Sequence, residues 1–179
     1  KSPHFMPELP EVEITKRKLR PLILGKRILN LGGRKILKIE RRGKAILIYL
    51  SRLRRGFGGQ AGGKILGFHQ RMSGKLLIVS RDFNDKHIRR RFRLSDGRDL
   101  VFHDVRKFGV IWYGTEEKVL ADKFFKSLGK DALVITPKEF ESLITSKRRS
   151  SRGGAIKAFL LNQKNLAGIG NIMADEILW

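Results

Sequence analysis

The segment Met6-Pro7-Glu8-Leu9-Pro10-Glu11-Val12-Glu13 holds the chemistry with the greatest reach in this chain. With Met6 trimmed, Pro7 becomes a first residue, and its nitrogen changes from a delocalised amide into a free secondary amine. A terminal amine titrates near pH ~8, so a useful fraction is unprotonated at neutral pH. Such a nitrogen attacks a carbonyl-like carbon and forms a covalent iminium. Glu8 beside it is a candidate acid/base. The plainer reading is that a proline near a start only opens a helix.

Three further segments carry specific groups. Arg41-Arg42-Gly43-Lys44 precedes an apolar run, where Lys44 could neutralise a phosphate or assist elimination; an ordinary charged strand end is the plainer alternative. His69-Gln70-Arg71-Met72-Ser73-Gly74 and His103-Asp104-Val105-Arg106-Lys107-Phe108-Gly109 each place a His, a turn and a large side chain at a strand end. Singly, Met72 and Phe108 read as core residues. Together, Met72, Arg106 and Phe108 could form a wedge filling the place of an extruded base, which chemistry on a base inside a duplex requires. Last, in Gly168-Ile169-Gly170-Asn171 the glycines admit close backbone approach and Asn171 would cap a helix whose amides favour an anion. Helix–helix turns also use glycine for steric reasons.

The elements that must position these groups follow from periodicity. Val12, Lys16, Leu19 and Ile23 predict a helix over about 8 to 24. Ile36, Leu37 and Ile39 sit in a charged β-type run, Ala45 to Leu50 reads as a buried strand, and Leu76 to Val79 as another. Residues 88 to 94 alternate, with Ile88, Arg90, Phe92 and Leu94 on one face and Arg89, Arg91 and Arg93 on the other. Asp96-Gly97 turns the chain, and Leu100 to His103 and Val110 to Tyr113 continue the sheet. After Gly114 the pattern becomes helical: about 116 to 127, then a helix opened by the capping box Thr136-Pro137-Lys138-Glu139 with Phe140, Leu143 and Ile144 inward. Lys147 to Gly154 reads as a basic linker, followed by helices of about 155 to 163 and from Asn171 onward. Arg55 to Gly63 reads as a flexible Gly-rich connection.

Composition narrows the partners. The chain has 179 residues, 39 Lys+Arg against 17 Asp+Glu and a formal charge of +22, yet is 41% hydrophobic. That is enough for a core, and the field attracts polyanions. Membrane-surface and ribosomal-type proteins share such a charge. No apolar run reaches the ~20 residues of a membrane span, and no secretory signal is visible. Cysteine is absent, so this chain has neither disulfides nor a thiolate metal site. The expected setting is cytoplasmic.

The ordered motifs closely resemble the bacterial formamidopyrimidine-DNA glycosylases, the Fpg branch of the Fpg/Nei family. The resemblance runs from Met6 to Trp179 and ends with Ala174-Asp175-Glu176-Ile177-Leu178. It implies an α+β fold: an N-terminal two-sheet β-sandwich flanked by helices, over residues 6–120, then a partial helix–two-turn–helix domain over 121–179, after an extension of residues 1–5. It implies excision of oxidised purines, 8-oxoguanine and formamidopyrimidines, from double-stranded DNA near the nucleoid, by a monomer. In that scheme Pro7, Glu8 and Lys44 are catalytic: a proline Schiff base forms and β,δ-elimination follows. His69, Met72, Arg106, Phe108, Lys157 and Asn171 would contact DNA. No metal is implied in this chain, one structural zinc being expected in a four-cysteine finger beyond Trp179. With residues ahead of Pro7 and no finger, this chain is expected to bind DNA weakly and cut poorly. Two alternatives stand beside the enzyme: a non-catalytic basic nucleic-acid-binding module, and RNA or ribosome binding driven by charge alone.

Overall fold

The computed structural model describes residues 6–54, 60–150 and 156–179. Helix α1 (Leu9–Ile23) lays Val12, Leu19 and Ile23 on the end of a β-sandwich. One sheet has five strands in the order β1 (Arg27–Ile28), β2 (Arg34–Arg42), β3 (Ala45–Leu50), β6 (Lys64–His69) and β10 (Val110–Gly114). The other has three, β7 (Gly74–Val79), β9 (Asp99–Asp104) and β8 (Ile88–Arg93), all antiparallel. Strands β4 (Leu53–Arg54) and β5 (Gln60–Ala61) make a separate hairpin. The expected Gly-rich connection falls largely on residues 55–59, outside the described ones.

Between the sheets, Ile36, Ile39, Ile46, Ile48, Leu66 and Phe68 meet Leu76, Phe92, Leu100 and Phe102. The opposite face of β3 and β6 is covered too. There Ala45, Leu47 and Ile65 pack under Val119 and Phe125, from α2 (Glu116–Leu120) and α3 (Lys123–Lys126). A strand buried on both faces needs no polar alternation, which is why Ala45 to Leu50 is continuously apolar.

A third cluster holds the helical part: Leu160, Leu166, Ile169 and Ala174, with Phe140, Leu143 and Met173 against them. It joins α4 (Pro137–Ser150), α5 (Ile156–Leu161) and α6 (Asn171–Leu178). Strand β11 (Lys130–Asp131) pairs in parallel with β12 (Leu166–Ala167). At the start of α4, Glu139 accepts from the Thr136 amide at 2.9 Å and its own amide donates to the Thr136 hydroxyl at 3.3 Å, the expected capping box.

Four expectations are corrected. The register slips between Ile88 and Arg90, so Ile88 pairs with His103 and lies on the opposite face from Phe92; a bulge breaks the alternation by one residue. The single helix of about 116 to 127 is two, because Asp122 caps a fresh start by accepting from the Phe124 amide at 2.8 Å. The linker from Lys147 is still helix as far as Ser150. Strand β6, an inner strand of the larger sheet, has no counterpart among the sequence-based strands, since Gly67 interrupts its apolar run.

Candidate active site and nucleic-acid interface

Glu8 is the residue from which the site is built. It precedes α1, its backbone amide donates to the Glu11 carboxylate at 2.9 Å, and it is almost wholly buried. Its own carboxylate accepts three amides from the start of α6, those of Gly170, Ile172 and Met173, each at 3.0 Å. A helix N-terminus offers unpaired N–H groups and a positive dipole end. Here that anion site is filled by a side chain from the other end of the sequence. The Leu9 amide adds a bond to the Gly168 carbonyl at 3.0 Å.

This arrangement corrects the reading of the glycine turn. The residue capping α6 is Gly170, while Asn171 is the first helical residue and its side chain is exposed. Gly170 is required by close approach, because a Cβ there would lie 2.2 Å from the Glu8 carboxyl group. Gln163 pins the same turn: its amide nitrogen donates to the Ile169 carbonyl at 2.7 Å and its oxygen accepts from the Gly168 amide at 2.9 Å.

Beside this joint lies a cavity of about 310 Å³, lined in part by Met6, Lys44, His69, Arg71, Gln163 and Asn171. Lys44 and His69 meet because β3 and β6 pair Ala45 with His69. Gly43, at φ +57°, turns the chain sharply just before Lys44. Burial lowers the Lys44 ammonium below the ordinary lysine range, opposed by the nearby Glu8 and Glu11 carboxylates. Burial, reinforced by the charges of Arg71 and Lys44, depresses His69 to about 4. Its Nδ1 accepts from the Arg71 amide at 3.1 Å, which leaves Nε2 as the protonated nitrogen. His69 therefore offers a neutral N–H donor near pH 7, not a cation.

The two loops carrying Met72, Arg106 and Phe108 lie side by side for a topological reason. Each crosses between the sheets at the same edge, where His69 pairs with Val110 and Gly74 with Asp104. The Ser73 hydroxyl donates to the Asp104 carboxylate and accepts from the Arg106 amide at 3.0 Å, and Gly109 donates to Asp104 at 2.7 Å. Burial pushes the Asp104 carboxyl up, but the Ser73 hydroxyl and the Gly109, Lys107 and Arg106 amides outweigh it and hold it below its usual range. Arg71 and Lys107 take φ of +52° and +62°, conformations that cost non-glycine residues energy and mark loops held to shape. The large side chains stand out from this frame: Met72 is 36% and Phe108 55% exposed, with the Arg106 guanidinium 5.1 Å from the Phe108 ring centre. None of the three is a core residue.

Lys157 is not among the residues lining the cavity; it is ion-paired with Asp175 of α6. Arg41 has a role that the sequence did not disclose. Its side chain, 4% exposed, reaches Glu13 of α1 at 3.1 Å and both oxygens of Asp131 of β11 at 2.6 and 2.8 Å. It staples the sandwich to the helical part. No local signal marks it, since its partners lie far away in the sequence on either side.

A zinc site of four cysteines cannot be assembled from this chain, which has no cysteine. Among the described residues no group of three or more His, Asp or Glu could hold a metal, and no helix is long and apolar enough to cross a membrane. Comparison with known proteins agrees with the geometry. Residues 6–111 match the model of the formamidopyrimidine-DNA glycosylase N-terminal domain. The formamidopyrimidine-DNA glycosylase of Streptococcus thermophilus (strain CNRZ 1066) is 35% identical over 97% of this chain and 66% of the relative. That of Carboxydothermus hydrogenoformans is 36% identical over 97% of this chain and 65% of its own. The chain thus spans just under two thirds of the length of these relatives. Among solved structures, a complex between the Lactococcus lactis Fpg and DNA containing an abasic site superposes with a TM-score of 0.77, at 31% identity over 96% of this chain and 66% of that one. A complex of the Lactococcus lactis enzyme with DNA containing an oxidised pyrimidine gives 0.77, at 31% identity over 97% and 67%. The sandwich, the order of the motifs and these matches together make this chain a member of the formamidopyrimidine-DNA glycosylase family.

Proposed function

We propose that the protein to which this chain belongs is a bifunctional DNA glycosylase and AP lyase of base-excision repair, acting on damaged double-stranded DNA in the bacterial cytoplasm. Its substrates are oxidised purines, 8-oxoguanine and formamidopyrimidines. The reactive form is the one that begins at Pro7. The proline nitrogen attacks C1′ of the extruded nucleotide and the damaged base leaves. Glu8 moves the proton to the ring oxygen as the sugar opens. The resulting Schiff base acidifies the sugar protons, and β- and then δ-elimination cut the two flanking phosphodiesters.

Lys44 serves as the general acid/base beside the iminium, its burial easing proton release. His69 and Asn171 bind the flanking phosphates, His69 as a neutral donor. Met72 and Phe108 fill the gap and Arg106 faces the orphaned base. Lys157 adds a phosphate contact once its pair with Asp175 opens. The catalytic groups belong to the 6–120 portion; Lys157 and Asn171 come from 121–179, whose α3 packs on the sandwich and whose α4 to α6 make the helical part.

The observation that carries this reading is the seating of Glu8. Three amide bonds from α6 fix the residue next to the nucleophile at the seam between sandwich and helices, beside the cavity shared by Lys44, His69 and Asn171. Preorganisation of this kind is what a covalent mechanism demands. The test is borohydride trapping on an 8-oxoguanine:cytosine duplex. A protein beginning at Pro7 and extended to the length of its relatives should give a covalent adduct, and Pro7→Gly should weaken or abolish it. A form that shifts DNA in a gel yet never forms the adduct would establish a binding module instead.

A further inference from the structure

Away from the cavity described above, α1 and β2 enclose a second groove of about 520 Å³, and the two share no lining residue. Its floor is the open edge of a sheet. Strand β1 pairs with β2 only at Arg34 and Lys35, and Gly25 and Lys26 bond Ile36. A register shift between Ile36 and Lys38 leaves Leu37 without a partner, and from Lys38 to Arg42 β2 pairs in unbroken register with β3 alone. Among the described residues, nothing bonds the outward N–H and C=O groups of this stretch. An exposed row of alternating donors and acceptors is a template for another strand.

The walls define the occupant. Leu24, Leu37, Leu133 and Val134 are apolar and between 40% and 64% exposed. Lys16, Arg17 and Arg20 of α1 and Lys38 of β2 are the basic groups above them. The carboxylates of the groove are already engaged: Glu13 takes Lys16, Arg17 and Arg41, and Glu40 takes Lys38. Arg20 makes no ion pair among the described residues. The groove therefore presents a surplus of positive charge beside apolar surface and an unpaired backbone edge.

We propose that this groove binds an extended, acidic and aliphatic peptide segment of a partner protein, added as a strand to the outer edge of β2. A polyamide repeats donors and acceptors at the spacing of the strand edge; the base amino groups of a nucleic acid also donate, but they do not recur at that spacing. A second copy of this chain is disfavoured by charge, at +22 and with Lys38 on the edge. The regular stretch Lys38–Arg41 spans about 13 Å at ~3.3 Å per residue, room for a four-residue core of the peptide. Alternation then turns aliphatic side chains to the leucines and carboxylates to the basic wall.

The test is fluorescence anisotropy at physiological salt with a short labelled peptide alternating aspartate with isoleucine or valine. Because a protein this basic attracts any anion, the deciding probe is the same peptide with alternate backbone nitrogens methylated, which keeps charge and side chains but cannot pair. We expect methylation to weaken binding about tenfold or more, as loss of main-chain pairing implies. Arg20→Glu combined with Lys38→Glu, both on exposed side chains, should weaken it comparably, and in the unmodified protein the amide resonances of Lys38 to Arg41 should shift on binding. Equal binding of the methylated peptide overturns the proposal, and that arm needs no variant to fold. Displacement by a single-stranded oligonucleotide whose own affinity falls in the double variant also overturns it, in favour of a nucleic-acid surface.

Discussion

Replacing Arg41 with methionine tests whether the two parts of the molecule are held by charge. The side chain is 4% exposed and ties Glu13 to Asp131, with a further bond to the Gly43 carbonyl at 2.8 Å. The two carboxylates do not suffer equally when it goes. Glu13 keeps Lys16 at 2.8 Å and Arg17 at 2.9 Å, so its charge stays compensated. Asp131 loses both guanidinium bonds and keeps only the Gly43 and Leu133 amides, each at 3.1 Å. Breaking a buried pair from one side costs about 3–5 kcal/mol; with Asp131 19% exposed and half its bonds intact, the lower end applies, about 3 kcal/mol. At a urea m-value of about 2 kcal/mol/M, the unfolding midpoint falls by about 1.5 M. Asp131→Asn leaves Arg41 paired with Glu13 and should cost about 1 kcal/mol, and the double variant no more than Arg41→Met alone, a coupling of about 1–2 kcal/mol. The sign with pH is fixed as well. Burial pushes the Asp131 carboxyl up, but Arg41 outweighs it and holds it low, so its contribution is complete above the ordinary aspartate range and is lost as pH falls through the depressed value. The gap between wild type and Asp131→Asn should narrow on acidification below about pH 4. An Arg41→Met midpoint within about 0.3 M of wild type, or additive single variants, would refute the staple.

Other consequences are as direct. Gly170→Ala should displace the Glu8 carboxylate, because the new Cβ would sit 2.2 Å from it; we expect at least about 2 kcal/mol of lost stability by urea unfolding and loss of trapping activity together. Glu8→Gln places an amide donor against backbone N–H groups and should cost about 1–3 kcal/mol, read as a fall in thermal midpoint, with trapping reduced further than stability accounts for. His69, held near 4 against an ordinary 6.5, lends stability that is complete above about pH 6.5 and fades towards pH 4, at most about 3 kcal/mol. Nitrogen-15 imidazole shifts should report the neutral Nε2–H form at pH 5.5, and an imidazolium there would sink the claim. Ser73→Ala removes the hydroxyl shared by Asp104 and Arg106 and should loosen the wedge loops, raising amide exchange at Arg106 while lowering the global unfolding free energy by only about 1 kcal/mol.

Most of the scaffold was legible because its signals are local. The stripe Val12, Leu19 and Ile23, the apolar run Ala45–Leu50 and the capping box at Thr136 are each set by residues within a few positions of one another. The bulge at Ile88 and the break at Asp122 were not legible, because a one-residue slip or an Asp side chain turning onto the Phe124 amide leaves no mark on hydrophobic periodicity. Strand β6 escapes a sequence reading for a related reason, its pattern being set by burial on both faces and interrupted at Gly67, where a Cβ would come within 3.2 Å of Trp112.

The sequence by itself determined the inventory: a free-able proline followed by an acid, a lysine after a tight glycine turn, two loops with large side chains, and a glycine-rich helix entry. Those are chemical identities, and identity is written residue by residue. Tertiary structure alone decided who meets whom. Antiparallel pairing set His69 beside Lys44, two crossings at one sheet edge set Arg106 over Ser73, and the closing of the helical part on the sandwich delivered the amides of α6 to Glu8 rather than to an outside anion. Such meetings depend on contacts between residues as much as 165 positions apart, and no window of sequence contains both partners.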